Sequence, residues 1–334
     1  EVEEKPTGEI SAGAGVGTSG GSFAFNVTEN NWLGKGIGVS ANLDVSKETF
    51  AGGLQFNDPN YKYSGNSLTY FIDNSVNDKS KTSGYKNNLI TTGIGTKFEQ
   101  YKDVYLTPKL TFSYDDLKVD SSASESMKKQ KGQFSDLSLD YSILLDKRDR
   151  AYAPTDGYVS VFSQAIPIYA DSPYIKNSYN FSKYQSFTAD YQGTFKFYTA
   201  AIHGLNDKDV RISKRVHIPS SRLRGFESGK IGPKDGKDYV GGNYAMATNF
   251  DLALPNLLPE SSKTDVGVFL DLANLWHVDF NDTVDKSSKI RSSAGGQVAW
   301  SSPVGPMTFI FSQNITKAST DITESFNFRL GTTF

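Results

Sequence analysis

The apolar residues of this chain recur at every second position rather than at every third or fourth. In 264–272, valines and leucines fall on one side of an extended chain, and mostly polar or small residues fall on the other. Side chains of a β-strand point alternately to the two faces of a sheet, so this period predicts strands with one apolar and one polar face. The same alternation occurs in 104–114, 137–145 and 244–254.

About sixteen such segments follow one another along the chain, and we predict no helix of convincing length. Each is near the ~10 residues that a tilted strand needs to cross a bilayer. We predict strands near 8–16, 21–30, 36–45, 48–57, 64–74, 87–99, 103–116, 133–146, 157–168, 181–192, 195–204, 242–254, 263–273, 290–301, 306–315 and 323–334. Some connections are short and rich in Pro, Gly or Asn. Long polar connections are predicted at 75–86, 117–132, 170–180, 205–241 and 275–289.

Short turns that alternate with long loops are typical of a transmembrane barrel. In lipid every backbone N–H and C=O must be paired within the protein, so the sheet must close. We therefore predict an all-β fold: an antiparallel transmembrane β-barrel of about sixteen strands, formed by residues 1–334 as a single domain. If the alternation of apolar and polar residues is considered alone, a soluble all-β protein, such as a sandwich or a propeller, is the alternative.

The composition is compatible with a barrel and excludes little else. Mean hydropathy is −0.44, as expected when half of each strand faces a polar lumen. The 35 basic and 37 acidic residues nearly balance, which gives no indication of nucleic-acid binding. There is no cysteine, so no disulfide framework is predicted. The charged start, Glu1–Lys5, is not a signal peptide, which indicates a mature chain or a fragment.

The first and last strands have unusual sequences. Gly13, Gly15 and Gly17 share one face of the first strand. Glycine weakens a strand, so the junction with the last strand would be the weakest in the barrel; a crowded bend would require the same glycines. If the two strands meet, we expect Ser11 to face Asn327 or Arg329. The apolar face of the last strand carries Phe326, Phe328, Leu330 and Phe334.

The long connection 205–241 contains the sequence Arg224-Gly225-Phe226. The planar guanidinium of arginine is suited to binding carboxylates. Asp251 and Asp271 lie on the polar faces of the next two predicted strands, which would point into the lumen. We predict that the loop folds inward and that Arg224 pairs with one or both acids. The alternative is a solvated arginine and two unrelated lumenal acids.

No catalytic motif emerges from the sequence. The three histidines lack metal-ligand spacing, and there is no nucleophile elbow or P-loop. The Asp146–Tyr158 segment contains Pro-Thr-Asp-Gly, which predicts a turn rather than an acid pair. We therefore predict no enzyme activity, no cofactor and no bound metal.

Several motifs together resemble the BamA type of outer-membrane protein assembly factor, over essentially the whole chain. They are Arg224-Gly-Phe within Leu223–Pro233, Gly241-Gly-Asn, Phe269-Leu-Asp-Leu-Ala-Asn, the run from Arg291 to Pro306, and Asn31-Trp-Leu-Gly-Lys-Gly. One departure is Ala273, where the family usually has glycine.

The resemblance implies a sixteen-stranded barrel of the bacterial outer membrane, preceded by POTRA domains that this chain does not include. It implies a loop lock formed by Arg224, Gly225, Phe226, Asp251 and Asp271. It also implies a lateral gate between the first and last strands, where unfolded β-barrel clients would pair. That gate would comprise Gly13, Gly15, Gly17, Phe326, Phe328, Leu330 and Phe334.

The implied partners are these clients, outer-membrane lipid, and assembly-complex lipoproteins that act mostly through the POTRA domains; no nucleic acid is implied. Three other functions stay open at this point. They are a polypeptide-secretion transporter of the two-partner type, a passive porin, and an adhesive or structural surface protein.

Overall fold

The computed structural model describes residues 6–188, 191–254, 257–280, 284, 288–303 and 305–333. Within these residues, sixteen strands form one closed antiparallel barrel, in which the last strand pairs with the first. The predicted fold class and strand number are confirmed. Phe334, which was assigned to the gate, lies outside the described residues.

The barrel strands follow one another around the wall in chain order. They are β1 (Gly8–Gly17), β2 (Gly20–Trp32), β3 (Ile37–Ser46), β4 (Thr49–Asp58), β5 (Ser67–Lys79), β6 (Tyr85–Tyr101), β7 (Val104–Val119), β8 (Gly132–Asp146), β9 (Gly157–Ala170), β10 (Tyr174–Ser186), β11 (Gln192–Gly204), β14 (Tyr244–Leu254), β15 (Thr264–Trp276), β16 (Arg291–Ser302), β17 (Gly305–Thr316) and β18 (Phe326–Thr333). A small hairpin, β12 (Lys234–Asp235) and β13 (Asp238–Tyr239), stands apart from the wall. One helical turn, α1 (Glu125–Lys128), and 3-10 turns at Tyr61–Tyr63, Ile212–Lys214 and Glu260–Ser262 complete the elements.

The tenth predicted strand was misplaced. It was expected at 181–192, after a loop at 170–180, whereas β10 begins at Tyr174 and only 171–173 connect it to β9. The first residues of β10 include the polar run Lys176–Ser178, so alternation of apolar and polar residues gives no signal there. Pairing of these residues with both β9 and β11 fixes the strand instead.

The outer wall of the barrel is apolar. Large hydrophobic side chains stand exposed on it, among them Leu54, Ile72, Phe112, Phe250 and Phe311. Soluble proteins rarely expose so much apolar surface to water, whereas a membrane barrel presents an apolar band of this kind to lipid. None of the described helices is long and apolar enough to span a membrane.

The hydrophobic core lies inside the barrel, at the end that bears the long connections. One cluster joins the 205–241 connection to the lumenal side chains of β11, β14 and β15. A second cluster joins that connection to the β7–β8 and β15–β16 connections. Fully buried members include Ile202, Val210, Leu223, Phe226 and Leu275 in the first, and Leu117, Met127, Ile212 and Val278 in the second.

The β1–β18 seam is short. Within the part of the chain that the structure describes, five residue pairs join these strands, from Gly13–Thr333 to Gly17–Arg329, whereas ten join β1 to β2. This register corrects the expected pairing, because Arg329 faces Gly17 rather than Ser11. Ser11 lies about 20 Å further along the strand, at ~3.3 Å per residue.

The seam is also crowded on its lumenal side. A Cβ atom added to Gly17 would lie 2.3 Å from the carbonyl oxygen of Phe328, and one added to Gly15 would lie 2.9 Å from Ser22 Oγ. The glycines of β1 were expected either to weaken the strand or to fit a crowded bend, and both explanations apply. The glycines provide little side-chain packing, and there is no room for a side chain at Gly15 or Gly17.

We expect Gly17→Ala to lower the free energy of unfolding by about 1–3 kcal/mol, as overpacking does elsewhere. Gly331→Ala is the matched control, since its added Cβ would meet no described atom within 4 Å. Urea unfolding in phospholipid vesicles measures both variants. Equal effects at the two positions would contradict the crowding at Gly17.

Candidate functional site

The connection between β11 and β14, here called the inner loop (205–241), folds into the lumen. Its tip is buried: Leu223 is 1%, Arg224 9% and Phe226 2% exposed. The hydrophobic tip residues belong to the lumenal cluster described above. The tip of the inner loop is therefore packed against the wall rather than solvated.

Asp271 on β15 is the main partner of Arg224. It accepts hydrogen bonds from Arg224 Nε at 2.7 Å, Nη2 at 2.6 Å and the backbone N–H at 2.9 Å. Its side chain is 0% exposed and also accepts from Asn249 Nδ2 at 2.7 Å. Four donated hydrogen bonds, two of them from a planar guanidinium, stabilise a carboxylate that would otherwise be costly to bury.

Asp251 on β14 is a secondary partner. Its Oδ1 lies 2.7 Å from Arg224 Nη1, but its side chain is 19% exposed and also lies 4.0 Å from Lys196 Nζ. The strand register explains why both acids reach one guanidinium. Asp251 pairs with Phe269, two positions from Asp271, so the acids lie diagonally on the lumenal face.

The Arg224 guanidinium is also held by uncharged groups. Its carbon lies 3.7 Å from the centre of the Phe269 ring, which gives a cation–π contact. Its Nη1 donates to Gln297 Oε1 at 3.1 Å. Arg224 is thus held by β14, β15 and β16 together, and any change in the spacing of these strands would disturb it.

Glycine is required at position 225. Its φ is +86°, and an added Cβ would lie 3.1–3.2 Å from Ser312, Asn314 and Ser293 on β16 and β17. The Gly225 carbonyl accepts from Asn314 Nδ2 at 2.7 Å. The tip therefore turns where the backbone touches the wall, and the next residue, Phe226, enters the lumenal cluster.

The base of the inner loop is held by ion pairs that the sequence analysis missed. Arg211 pairs with Asp136 on β8, and Arg215 pairs with Asp279 in the β15–β16 connection. The arginines are buried in both pairs. Asp136 lies two residues before Ser138 and therefore on the polar face of β8, but nothing in the sequence indicated which arginine would reach it.

His217 lies between the base and the tip. Its pKa is lowered to about 3, first by burial and then by nearby positive charges, those of Lys79, Arg215 and Lys176. Its Nε2 is buried and makes no hydrogen bond with a described residue. Since the unfolded pKa is ~6.5, the folded state binds fewer protons below that pH, and acid destabilises this part of the inner loop.

The residues assigned to the gate form a separate site on the wall. Gly13, Gly15 and Gly17 lie on the lumenal face of β1, and Leu330 pairs with Val16. Outside the barrel, the Phe326 and Phe328 rings lie 5.2 and 5.4 Å from Phe311 and Phe309 of β17. Within the described residues, no cluster of His, Cys, Asp or Glu could hold a metal ion.

We expect Asp271→Asn to lower the free energy of unfolding by about 3 kcal/mol or more, because a buried arginine loses its charged partner. Asp251→Asn removes the same charge from a partly exposed position and should cost about 1 kcal/mol or less. Urea unfolding in phospholipid vesicles compares the two isosteric variants. The reverse order, or equal losses, would mean that Asp271 is not the main partner.

Solved structures with a similar fold include barrels of two kinds. The crystal structure of BamA from Haemophilus ducreyi lacking POTRA domains 1–3 superposes with a TM-score of 0.88, at 24% identity, over 99% of this chain and 71% of that one. CdiB from Escherichia coli gives a TM-score of 0.60, at 15% identity, over 100% and 64%. These likenesses show the fold.

Curated relatives agree with this fold. Outer membrane protein assembly factor BamA from Neorickettsia risticii is 25% identical over 91% of this chain and 42% of its own length. The BamA of Neisseria meningitidis is 25% identical over 100% and 48%, so the chain spans less than half of either relative. A SAM50-like protein of Schizosaccharomyces pombe is 26% identical over 79% and 57%. The model of the Omp85 superfamily domain matches residues 31–334, and the chain therefore belongs to the Omp85 superfamily.

Proposed function

We propose that this barrel lies in the bacterial outer membrane and assembles other β-barrel proteins there, with unfolded clients entering at the β1–β18 seam. One observation carries the proposal: the strand that closes the barrel, β18, is joined to the glycine-rich β1 by only five residue pairs among the described residues. Its curated BamA relatives carry assembly in their names, and the H. ducreyi BamA structure has a similar barrel.

The seam is suited to opening. Backbone groups that lie unpaired in lipid are costly, so an opened edge is a strong template for another strand. A client strand would pair with β1 by β-augmentation, in which main-chain hydrogen bonds supply the affinity. Small side chains on β1 mean that little packing is lost when β18 leaves.

The assembly that we propose needs no covalent step, nucleotide or cofactor. Burial of the client's apolar face in lipid and pairing of its backbone provide the driving force. We further propose that assembly-complex lipoproteins act through POTRA domains of the kind named in the H. ducreyi structure.

Two alternatives have weaker support. A passive porin needs an open lumen, whereas the inner loop is packed inside this one with buried ion pairs. A two-partner secretion transporter has a similar barrel, but CdiB superposes less closely than the H. ducreyi BamA barrel does.

A reversible covalent closure of the seam tests the proposal. Val16 pairs with Leu330, so Val16→Cys and Leu330→Cys place two thiols within reach of a disulfide, and the chain has no other cysteine. In the full-length protein, oxidation should abolish assembly of a client barrel, and reductant should restore it.

Leu54→Cys with Ile72→Cys is the matched control, because these residues pair across β4 and β5, away from the seam. Oxidation of the control should leave assembly intact. Full assembly with the β1–β18 seam closed would refute the proposal.

A further inference from the structure

The tip of the inner loop is bonded to the segment that leads into β18. Glu324 N–H donates to the Gly225 carbonyl at 3.0 Å, and Glu227 N–H donates to the Ile322 carbonyl at 3.0 Å. Phe226 and Thr323 form an antiparallel bridge. The backbone that follows Arg224 is thus joined to residues 322–324, directly before the last strand.

Asn327, near the start of β18, extends this connection across the seam. Its Nδ2 donates to Thr18 Oγ1 at 2.6 Å and to Glu324 Oε2 at 3.0 Å. Its Oδ1 accepts from Arg329 Nε at 3.3 Å. Asn327 is 7% exposed, whereas Thr18 is exposed and Glu324 is half-buried, so these hydrogen bonds are partly buried.

Thr18 belongs to the two-residue turn between β1 and β2. Besides accepting from Asn327, it donates its backbone N–H to the Phe328 carbonyl at 3.1 Å. This backbone bond lies at the loop end of the seam, one position beyond the Gly17–Arg329 pair. The exchange rate of the Thr18 amide therefore reports opening at that end.

These contacts form an unbroken path from the buried acids to the seam. It runs from Asp271 through Arg224 and the Gly225 carbonyl to Glu324, and then through Asn327 to Thr18. A second contact, from Arg329 Nη2 to Ser220 Oγ at 3.4 Å, joins β18 to the inner loop.

We propose that Thr18, Glu324 and Asn327 are positioning residues that latch the loop end of the β1–β18 seam, and that Arg224 keeps this latch engaged. While Arg224 holds the tip, Gly225 fixes Glu324, and Glu324 orients the Asn327 amide towards Thr18. Release of the tip leaves the amide without its second acceptor and weakens the bond across the seam. The latch deepens the proposed function and rests on it, because it regulates the seam at which clients would enter.

Hydrogen exchange at the residue 18 amide, corrected for intrinsic rates, measures the latch in the full-length protein in phospholipid nanodiscs. Thr18→Val is isosteric and removes only the hydroxyl. It should speed exchange about fivefold to tenfold, the effect of one net hydrogen bond. Thr18→Ser retains a hydroxyl, so exchange at the residue 18 amide should stay slow in that variant. Unchanged exchange in Thr18→Val would overturn the latch.

Thr28→Val is the matched control, since it removes a similar bond from Asn26 Nδ2 to Thr28 Oγ1, at 3.1 Å on β2. It should leave exchange at position 18 unchanged. If it speeds that exchange as much as Thr18→Val does, loss of any such hydroxyl loosens the barrel, and the latch is refuted.

A double-mutant cycle tests the coupling to Arg224. Arg224→Ala alone should speed exchange at position 18 at least as much as Thr18→Val does. Adding Thr18→Val to Arg224→Ala should then change the rate by less than about twofold, because the latch is already released. If the increase in exchange rate of the double variant is instead the product of the two single increases, Arg224 and Thr18 act independently, and the coupling is overturned.

Client assembly measured in parallel separates this inference from the proposed function. If the exchange results are as expected but covalent closure of the seam leaves assembly intact, the proposed function fails and the latch stands as a device of the barrel. If covalent closure abolishes assembly but Thr18→Val leaves exchange unchanged, only the latch fails.

Discussion

The buried pairing of Arg224 with Asp271 is the interaction on which the loop end of this barrel depends. A buried charge is tolerated only while its partner and hydrogen bonds are in place, and loss of one partner is strongly destabilising. Here one guanidinium contacts side chains of three neighbouring strands and fixes the tip of a long loop. The lumenal hydrophobic cluster and the backbone bonds to residues 322–324 follow from the position of that tip.

A barrel in lipid must have no free edge, yet the proposed function needs an edge that opens. The β1–β18 seam reconciles these requirements, because the described residues close it along only five pairs and the glycines of β1 provide little side-chain packing. Among the described residues β18 is joined to β17 by five pairs as well, whereas every other neighbouring pair of barrel strands has a longer ladder, so opening at the seam leaves the rest of the wall paired. The buried pair of Arg224 and Asp271 lies elsewhere on the wall. In the proposed latch it affects the opening of the seam without being part of the seam.

Much of this architecture could be predicted from the sequence, because lumen and lipid impose opposite polarity on alternate residues. That alternation gave the strand number and placed Asp251 and Asp271 on the lumenal face, where Arg224 meets them. It did not give the start of β10, whose first residues are polar and are fixed by pairing with β9 and β11. It also could not give the seam register, which depends on the stagger of the whole ring.

The ion pairs at the base of the inner loop were beyond the sequence for another reason. Arg211 meets Asp136 only because the chain between them follows a particular path over the lumen, and that path is fixed by tertiary packing. The same holds for Glu324 and Asn327, whose partners lie on other connections. Local pattern identifies which side chains face inward, but it does not identify which of them meet.

A double-mutant cycle between Arg224 and Asp271 tests the central claim most directly. Urea unfolding in phospholipid vesicles would compare Arg224→Met, Asp271→Leu and the double variant. Each single variant leaves one charge buried without its main partner and should lose about 3–5 kcal/mol, whereas the double variant should be no less stable than either. Losses that simply add in the double variant would contradict the account, because the two residues would then act independently.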